Sequence, residues 1–210
     1  DNIYPVLTSK YGTEWKPGID DDNKVTILIH PIKGGTTGYF NNGNEYSVYQ
    51  NPSSNEREMV YLDARHITDE TIESYLAHEF THLITFNQKE RLNDVQEEIW
   101  LNEARAEYAP TLCGYSEDYE RSYLRTRVQD FINSPSDSIT EWQGKAADYG
   151  ALSLFTHYLV DHYGEAILTD SLKSPEIGIE SIDKALKDKG FNERFSDIFI
   201  DWAIAIFIND

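Results

Sequence analysis

The chain has 210 residues, 40% of them hydrophobic and 13% aromatic, which is enough for one domain or two tightly packed subdomains. Its 37 acidic and 18 basic residues give a formal net charge of −19, so the basic surface needed to bind duplex nucleic acid is missing. The one cysteine, Cys113, excludes an intramolecular disulfide framework, and we expect it to be a small buried residue. The longest apolar run, about residues 202–208, falls far short of the ~20 residues of a membrane-spanning helix, so no membrane partner is predicted.

The first third of the chain predicts strands and turns. An acidic loop at residues 20–23 precedes a short apolar strand at 25–29, and a second strand is predicted at 59–63. Between the strands, the glycine-rich segment 34–40 leads into a strong turn signal at 41–44. We expect a small sheet in which segment 34–40 lies at an exposed edge.

From Thr68 onward the pattern is helical. Thr68 or Asp69 can cap a helix whose apolar stripe consists of Ile72, Leu76, Phe80 and Leu83. Further helices are predicted at 95–108, 117–132, 146–163, 165–172, 179–188 and 192–208. The predicted fold class is therefore α+β. We expect an N-terminal subdomain, residues 1–90, with the sheet and the first long helix, a helical C-terminal subdomain, residues 91–210, and a site in the cleft between them.

The helix that joins the two parts contains His78-Glu79-Phe80-Thr81-His82. Two histidines four residues apart lie on one face of a helix, so both imidazoles can reach one metal ion. Glu79 projects beside them and can contact a reacting water without binding the metal. A hydrolytic zinc site needs a third protein ligand, and Glu103 supplies it from the next predicted helix. Glu107, one turn later, can accept the spare ring N–H of a ligating histidine.

These two segments, HEFTH and WLNEARAEY, resemble the gluzincin zinc peptidases, and the closer likeness is to the hyicolysin-like neutral metallopeptidases. The likeness continues through Pro17-Gly18-Ile19-Asp20, Gly38-Tyr39-Phe40, Asn55-Glu56, the strand 59–63, YGALSLF from Tyr149, Tyr158-Leu159 and Asp201-Trp202-Ala203, so it covers nearly the whole chain. It implies a zincin-like fold. The chain has Ala104-Arg105 where many relatives have Gly-Leu or Gly-Phe. We expect Arg105 to lie near the cleft, so this departure leaves the metal site intact but the substrate preference of the relatives does not carry over.

The resemblance implies one catalytic zinc ion held by His78, His82 and Glu103, with Glu79 as general base and acid in peptide hydrolysis. Zinc is favoured over cobalt or manganese because two histidines, one glutamate and an open position suit it. A tyrosine assists the developing oxyanion in gluzincin aminopeptidases, and Tyr149 resembles it. His157 and His162 are rivals for that role.

The predicted function is a zinc-dependent endopeptidase acting on peptides or proteins, and we expect it to be secreted. Two alternatives stay open: a zinc-stabilised binding or adhesion module without turnover, and an exopeptidase. Segment 34–40 either pairs with an extended substrate as an added strand or is a plain glycine-rich hairpin. The acidic loop at 20–23 gives weak support for a calcium site, and His30 and His66 are expected to be structural. The sequence does not fix the oligomeric state.

Overall fold

The computed structural model describes residues 2–208, which form a small sheet and a larger set of helices. The strands are β1 (Thr26–His30), β2 (Gly38–Phe40) and β3 (Met59–Asp63). The α-helices are α1 (Ile3–Tyr11), α2 (Ile72–Thr85), α3 (Ile99–Leu112), α4 (Tyr123–Asn133), α5 (Ala146–Tyr163), α6 (Ala166–Lys173), α7 (Gly178–Asp188) and α8 (Phe195–Ile208). The mixed α/β composition expected from the sequence is confirmed, and from residue 91 to residue 208 the structure contains helices but no strand.

The sheet has three strands in the order β1-β3-β2. β3 is buried along its whole length and pairs parallel to β1, with Thr26 opposite Met59. β2 runs antiparallel to β3, with Gly38 opposite Leu62. The sheet is therefore mixed, and β2 lies at one of its edges, as expected for segment 34–40.

α2 is the helix that connects the sheet to the rest of the molecule. It packs against β2 and β3 of the sheet and against the helices α1 and α3. At its C-terminal end it continues into a turn of π-helix, Phe86–Arg91. α5 packs against α3, α4, α6 and α8, and the core between these helices contains Leu83, Leu101, Leu152, Phe155 and Leu168, each no more than 1% exposed. The cleft described below lies where α2, α3 and α5 meet the edge of the sheet.

The prediction of strands and turns throughout the first third was wrong for residues 3–11, which form α1. Pro5 lies in the first turn of this helix, where its missing N–H has no helical partner to lose. Leu7 and Tyr11, one turn apart, are completely buried. Packing against α2 thus decides the conformation of a segment whose local pattern was ambiguous.

Several predicted helix boundaries also differ from those observed. α2 begins at Ile72 with Thr71 as its N-cap residue, so neither Thr68 nor Asp69 caps it, and the side chain of Asp69 binds His66 Nδ1 at 2.7 Å. α3 begins at Ile99, since Glu98 is extended and the side chain of Glu97 turns inward to Arg105. α5 has the predicted bounds. Within residues 2–208, no helix is both long and apolar enough to cross a lipid bilayer.

Candidate metal centre and active site

α2 brings His78 and His82 together on the face that borders the cleft. Their Nε2 atoms are 3.1 Å apart, and both side chains are buried. The spacing of four residues places them one turn apart on the same face, as the sequence motif predicts. Each imidazole therefore presents its Nε2 to the same small volume.

Glu103 reaches this volume from α3. Its Oε2 lies 3.4 Å from His78 Nε2, and its Oε1 lies 3.7 Å from His82 Nε2. One ligand atom from each of the three residues lies within 4.8 Å of the other two. Among residues 2–208, this is the one group of three or more histidine, cysteine or carboxylate side chains with such a geometry.

The donor set fits a zinc ion. Ligands about 2.0–2.1 Å from a tetrahedral zinc lie about 3.3 Å from one another, and the distances between the three donors are close to this value. Glu103 Oε2 is buried without a hydrogen-bond partner, which is costly for a carboxylate unless a cation meets it. Burial opposes the charged form of His78, but the neighbouring carboxylates Glu103 and Glu107 outweigh it and raise its pKa well above the usual value. The surroundings thus favour positive charge at this position.

The other ring nitrogens of the two histidines face polar side chains of α3. His82 Nδ1 is 3.0 Å from Asn102 Oδ1, and His78 Nδ1 is 3.3 Å from Glu107 Oε1. The contact between His78 Nδ1 and Glu107 Oε1 is not aligned as a hydrogen bond, so this buried nitrogen has no hydrogen-bond partner among the described residues. The hydrogen bond to Asn102 fixes the tautomer and the orientation of His82, and the carboxylate of Glu107 lies close enough to accept the N–H of His78 after a small adjustment. Sequence analysis named Glu107 for this role but missed Asn102, although it directly precedes Glu103.

The carboxylate of Glu107 is itself held by α4. Arg127 Nε donates to Glu107 Oε2 at 2.7 Å, and the Tyr123 hydroxyl donates to Glu107 Oε1 at 3.1 Å. Arg127 also binds Asp130 at 3.1 Å. Sequence analysis missed Arg127 and Tyr123, because they lie on a separate helix and no local motif links them to Glu107.

Glu79 lies beside the histidines and under β2. It lines the cleft but is only 7% exposed, and this burial raises the pKa of its carboxyl group. β2 passes so close that a Cβ on Gly38 would lie 3.1 Å from Glu79 Cγ and 2.9 Å from the carbonyl oxygen of Tyr61. Glycine at position 38 thus allows the strand to cover the glutamate.

Tyr149 lies in the first turn of α5 and also lines the cleft. Its ring packs on the guanidinium of Arg127, 4.5 Å from the ring centre, and against the ring of Trp142 at 4.7 Å. Burial raises the pKa of Tyr149, so its hydroxyl stays protonated at neutral pH and can donate a hydrogen bond. The two histidines that were the other candidates for this role do not line the cleft. His157 contacts Thr111 and Tyr108, and His162 binds the carbonyl oxygen of Tyr158.

The cleft has a volume of about 390 Å³. It is bounded by β2 and the loop before it, by α2 and its π-helical turn, by the start of α3 and by Tyr149. All four cleft residues predicted for metal binding and acid–base chemistry, His78, Glu79, His82 and Glu103, line it.

Arg105 does not line the cleft, so the position expected for its side chain is wrong. Its side chain is completely buried on the opposite side of α3. There Nη1 donates to Glu97 Oε2 at 2.7 Å and Nη2 donates to Ser171 Oγ at 2.9 Å. Arg105 therefore connects α3 to α6 as part of the core.

The remaining polar residues singled out by the sequence have contacts within the chain. Asp20 accepts the N–H of Asp22 and lies 3.4 Å from Arg57, so the calcium prediction for residues 20–23 gains no support. His30 packs edge-on against the ring of Tyr61. Cys113 is free and buried, as expected.

A mixed sheet over a helix with two histidines, joined by a carboxylate from the next helix, is consistent with a zincin-like metalloprotease. No family model matches the chain. Among curated proteins, it is similar to the neutral metalloprotease ShpI of Staphylococcus hyicus, with 28% identity over 210 aligned residues that cover 89% of this chain. The alignment covers 46% of ShpI, so the chain spans about half the length of this relative.

Proposed function

We propose that the chain is a zinc-dependent endopeptidase of gluzincin type, close to the hyicolysin-like metallopeptidases. The observation that carries the proposal is the convergence of His78, His82 and Glu103 beside the buried Glu79 in one cleft. The likeness to a neutral metalloprotease supports peptide hydrolysis as the reaction. We also propose residues 1–90 and 91–210 as the two subdomains that enclose this cleft.

In the proposed mechanism His78, His82 and Glu103 hold zinc, while Asn102 and Glu107 orient the two histidines. A zinc ion bound there supplies Lewis acidity, which lowers the pKa of water and polarises the scissile carbonyl. Glu79 accepts the proton of the attacking water and then delivers it to the leaving amine. The raised pKa of Glu79 suits a group that must both take and release a proton near neutral pH.

Tyr149 is proposed to donate a hydrogen bond to the oxygen that becomes negative in the transition state. Its hydroxyl makes no hydrogen bond to any residue from 2 to 208, and the ring is fixed between Arg127 and Trp142. A rigid, protonated donor of this kind needs little reorganisation during the reaction.

The free edge of β2 is proposed to bind the substrate backbone. β2 pairs with β3 on one side only, so its other edge can accept an extended peptide as an additional strand. The strand covers Glu79, and a peptide paired with it would pass over the glutamate. Pairing along a strand edge suits cleavage within a chain, since it binds the substrate backbone and does not require a chain terminus.

The test is digestion of a mixed peptide library by the zinc-loaded protein, read by mass spectrometry, with Glu79→Gln as the matched variant. Internal cleavage that disappears in Glu79→Gln, at unchanged zinc content, is the expected result. Removal of terminal residues alone would favour an exopeptidase. Absence of cleavage by the folded, zinc-loaded protein would favour a zinc-stabilised binding module.

Secretion is also part of the proposal. The acidic surface and the single cysteine suit a peptide-degrading enzyme that acts outside the cell. Comparing the amounts of the protein in culture medium and in washed cells tests it, and retention in the cells would count against it.

A further inference from the structure

The cleft continues beyond the histidines along the same face of α2. Phe86 and Glu90 follow His82 at intervals of four residues, and both line the cleft. They belong to the π-helical turn, whose wider repeat keeps residues at such intervals near one side. Ile99, at the start of α3, lines the same part of the cleft and is 59% exposed.

One carboxylate of the cleft has neither a role in the proposed mechanism nor, among residues 2–208, a cation beside it. Four glutamates line it: Glu79, Glu90, Glu97 and Glu103. Glu79 and Glu103 have the roles proposed above, and Glu97 is paired with Arg105 and Lys89. Within the part of the chain that the structure describes, Glu90 belongs to no ion pair.

Lys89 also lines the cleft, but all three N–H donors of its ammonium group bind carbonyl oxygens of the chain. Nζ donates to the carbonyl oxygens of Ser171 at 2.7 Å, Ser174 at 2.8 Å and Glu176 at 2.5 Å. An ammonium group has three donors, so none remains for Glu90. Arg91, the next residue, has its guanidinium over the ring of Trp15.

Glu90 lies at the end of an aromatic wall. The Tyr46 hydroxyl donates to Glu90 Oε2 at 3.3 Å, and the Tyr46 ring meets the ring of Phe86 edge-on, with centres 5.8 Å apart. Phe40 of β2 packs on the other side of Phe86, at 6.2 Å. Burial raises the pKa of Glu90, and the hydrogen bond from Tyr46 opposes that shift. A carboxylate accepts several hydrogen bonds, so Oε1 remains free to accept one from a ligand.

We propose that Glu90 forms a subsite for a lysine or arginine side chain of the peptide substrate, an inference that rests on the proposed function. The charged head of the substrate side chain binds the carboxylate of Glu90. Its aliphatic stem packs along the exposed side chain of Ile99, since long basic side chains cover apolar surface while their heads reach a polar partner. The aromatic rings add attraction for the cation, and the net charge of −19 favours its approach.

The test uses N-acetylated, C-amidated peptides, so that neither terminus can supply the charge. The library digestion first identifies the sequence position with the strongest preference. Peptides with lysine, arginine, norleucine or glutamate at that position are then compared by kcat/KM. We expect lysine or arginine to exceed norleucine by about tenfold or more, as for a hydrogen bond to a charged group. Glu90→Gln should abolish this ratio, and Glu90→Lys should favour the glutamate peptide.

Binding of the same peptides to the zinc-loaded Glu79→Gln protein, measured by calorimetry, gives a second readout that needs no turnover. Glu120 is exposed and does not line the cleft, so Glu120→Gln is the control for a loss of one negative charge. The subsite would be overturned if the lysine and norleucine peptides had equal kcat/KM and equal Kd. It would also be overturned if the preference for lysine survived in a folded Glu90→Gln variant. Absence of cleavage together with a binding preference that depends on Glu90 would overturn the proposed function and support the subsite.

Discussion

Glu107 is a buried carboxylate beside His78, and α4 supplies partners for both of its oxygens. Arg127 and Tyr123 bind its two oxygens, so the charge is paired and hydrogen-bonded, as a buried charge must be. Arg127 also supports the ring of Tyr149. One arginine of α4 therefore holds both a group that orients a proposed zinc ligand and the proposed hydrogen-bond donor.

Replacing Glu103 tests the ligand set. Glu103→Ala should lower zinc affinity by more than about 100-fold, because losing a ligand costs more than losing a group that orients one, which costs about 10–100-fold. Asn102→Ala is the matched variant and should fall within that smaller range. Competition with a chelating dye measures both affinities. Wild-type zinc affinity in Glu103→Ala would remove Glu103 from the ligand set.

Replacing Tyr149 tests the hydrogen-bond donor. Tyr149→Phe should lower kcat by about 10²–10³-fold, the usual effect of removing one donor to a developing oxyanion, with little change in KM or zinc content. Steady-state kinetics and metal analysis check this result. His162→Asn, on the exposed end of α5, is the control for a change on the same helix. Unchanged kinetics in Tyr149→Phe would exclude the hydroxyl from the reaction.

At the scale of elements, the sequence predicts those parts that carry a strong local signal. The bounds of α5 agree with the prediction, and the His-Glu-His face of α2 follows from helical spacing alone. α1 was missed because the burial of Leu7 and Tyr11, which no local pattern reveals, stabilises it. The π-helical turn, which places Glu90 on the cleft, likewise has no signal in the sequence analysis. Contacts between distant segments, such as Arg127 with Glu107, need the three-dimensional structure.

The buried ionic cluster of Lys89, Glu97 and Arg105 joins the π-helical turn, α3 and α6. Arg105→Met should reduce the free energy of unfolding by about 3–5 kcal/mol, because it breaks a fully buried charge pair and removes the hydrogen bond to Ser171. Urea denaturation of the zinc-loaded protein measures this change. The cleavage pattern should stay the same, since Arg105 does not touch the cleft. A changed cleavage pattern in a variant of normal stability would instead support the position near the cleft that the sequence analysis expected for Arg105.

At the scale of the whole molecule, a high negative charge is combined with carboxyl groups buried close together. Glu45 and Glu58 are each 1% exposed, and three of their four oxygens have no hydrogen-bond partner. Burial and the neighbouring Glu58 raise the pKa of Glu45 to about 9 from its ordinary value of 4.5. Folding therefore takes up a proton at Glu45, and the contribution of this group to the stability is fully present below about pH 4.5 and is lost as the pH rises towards 9.

Glu45→Gln should weaken this dependence on pH. Each unit of pKa shift is worth about 1.4 kcal/mol, so we expect the variant to gain at least about 2 kcal/mol over wild type between pH 6.5 and pH 9. Urea denaturation at several pH values, with zinc present throughout, measures the difference between the two proteins. Parallel stability curves would show that Glu45 takes up no proton on folding.

The three proposed ligands come from two helices, His78 and His82 from α2 and Glu103 from α3. An ion held by all three would cross-link the sheet-bearing half of the chain to the helical half. With one cysteine, the chain cannot make such a link by an intramolecular disulfide. A chelator that removes this ion would therefore also remove a link between the two parts of the chain. Loss of activity would then be accompanied by lower stability and faster digestion by an added protease.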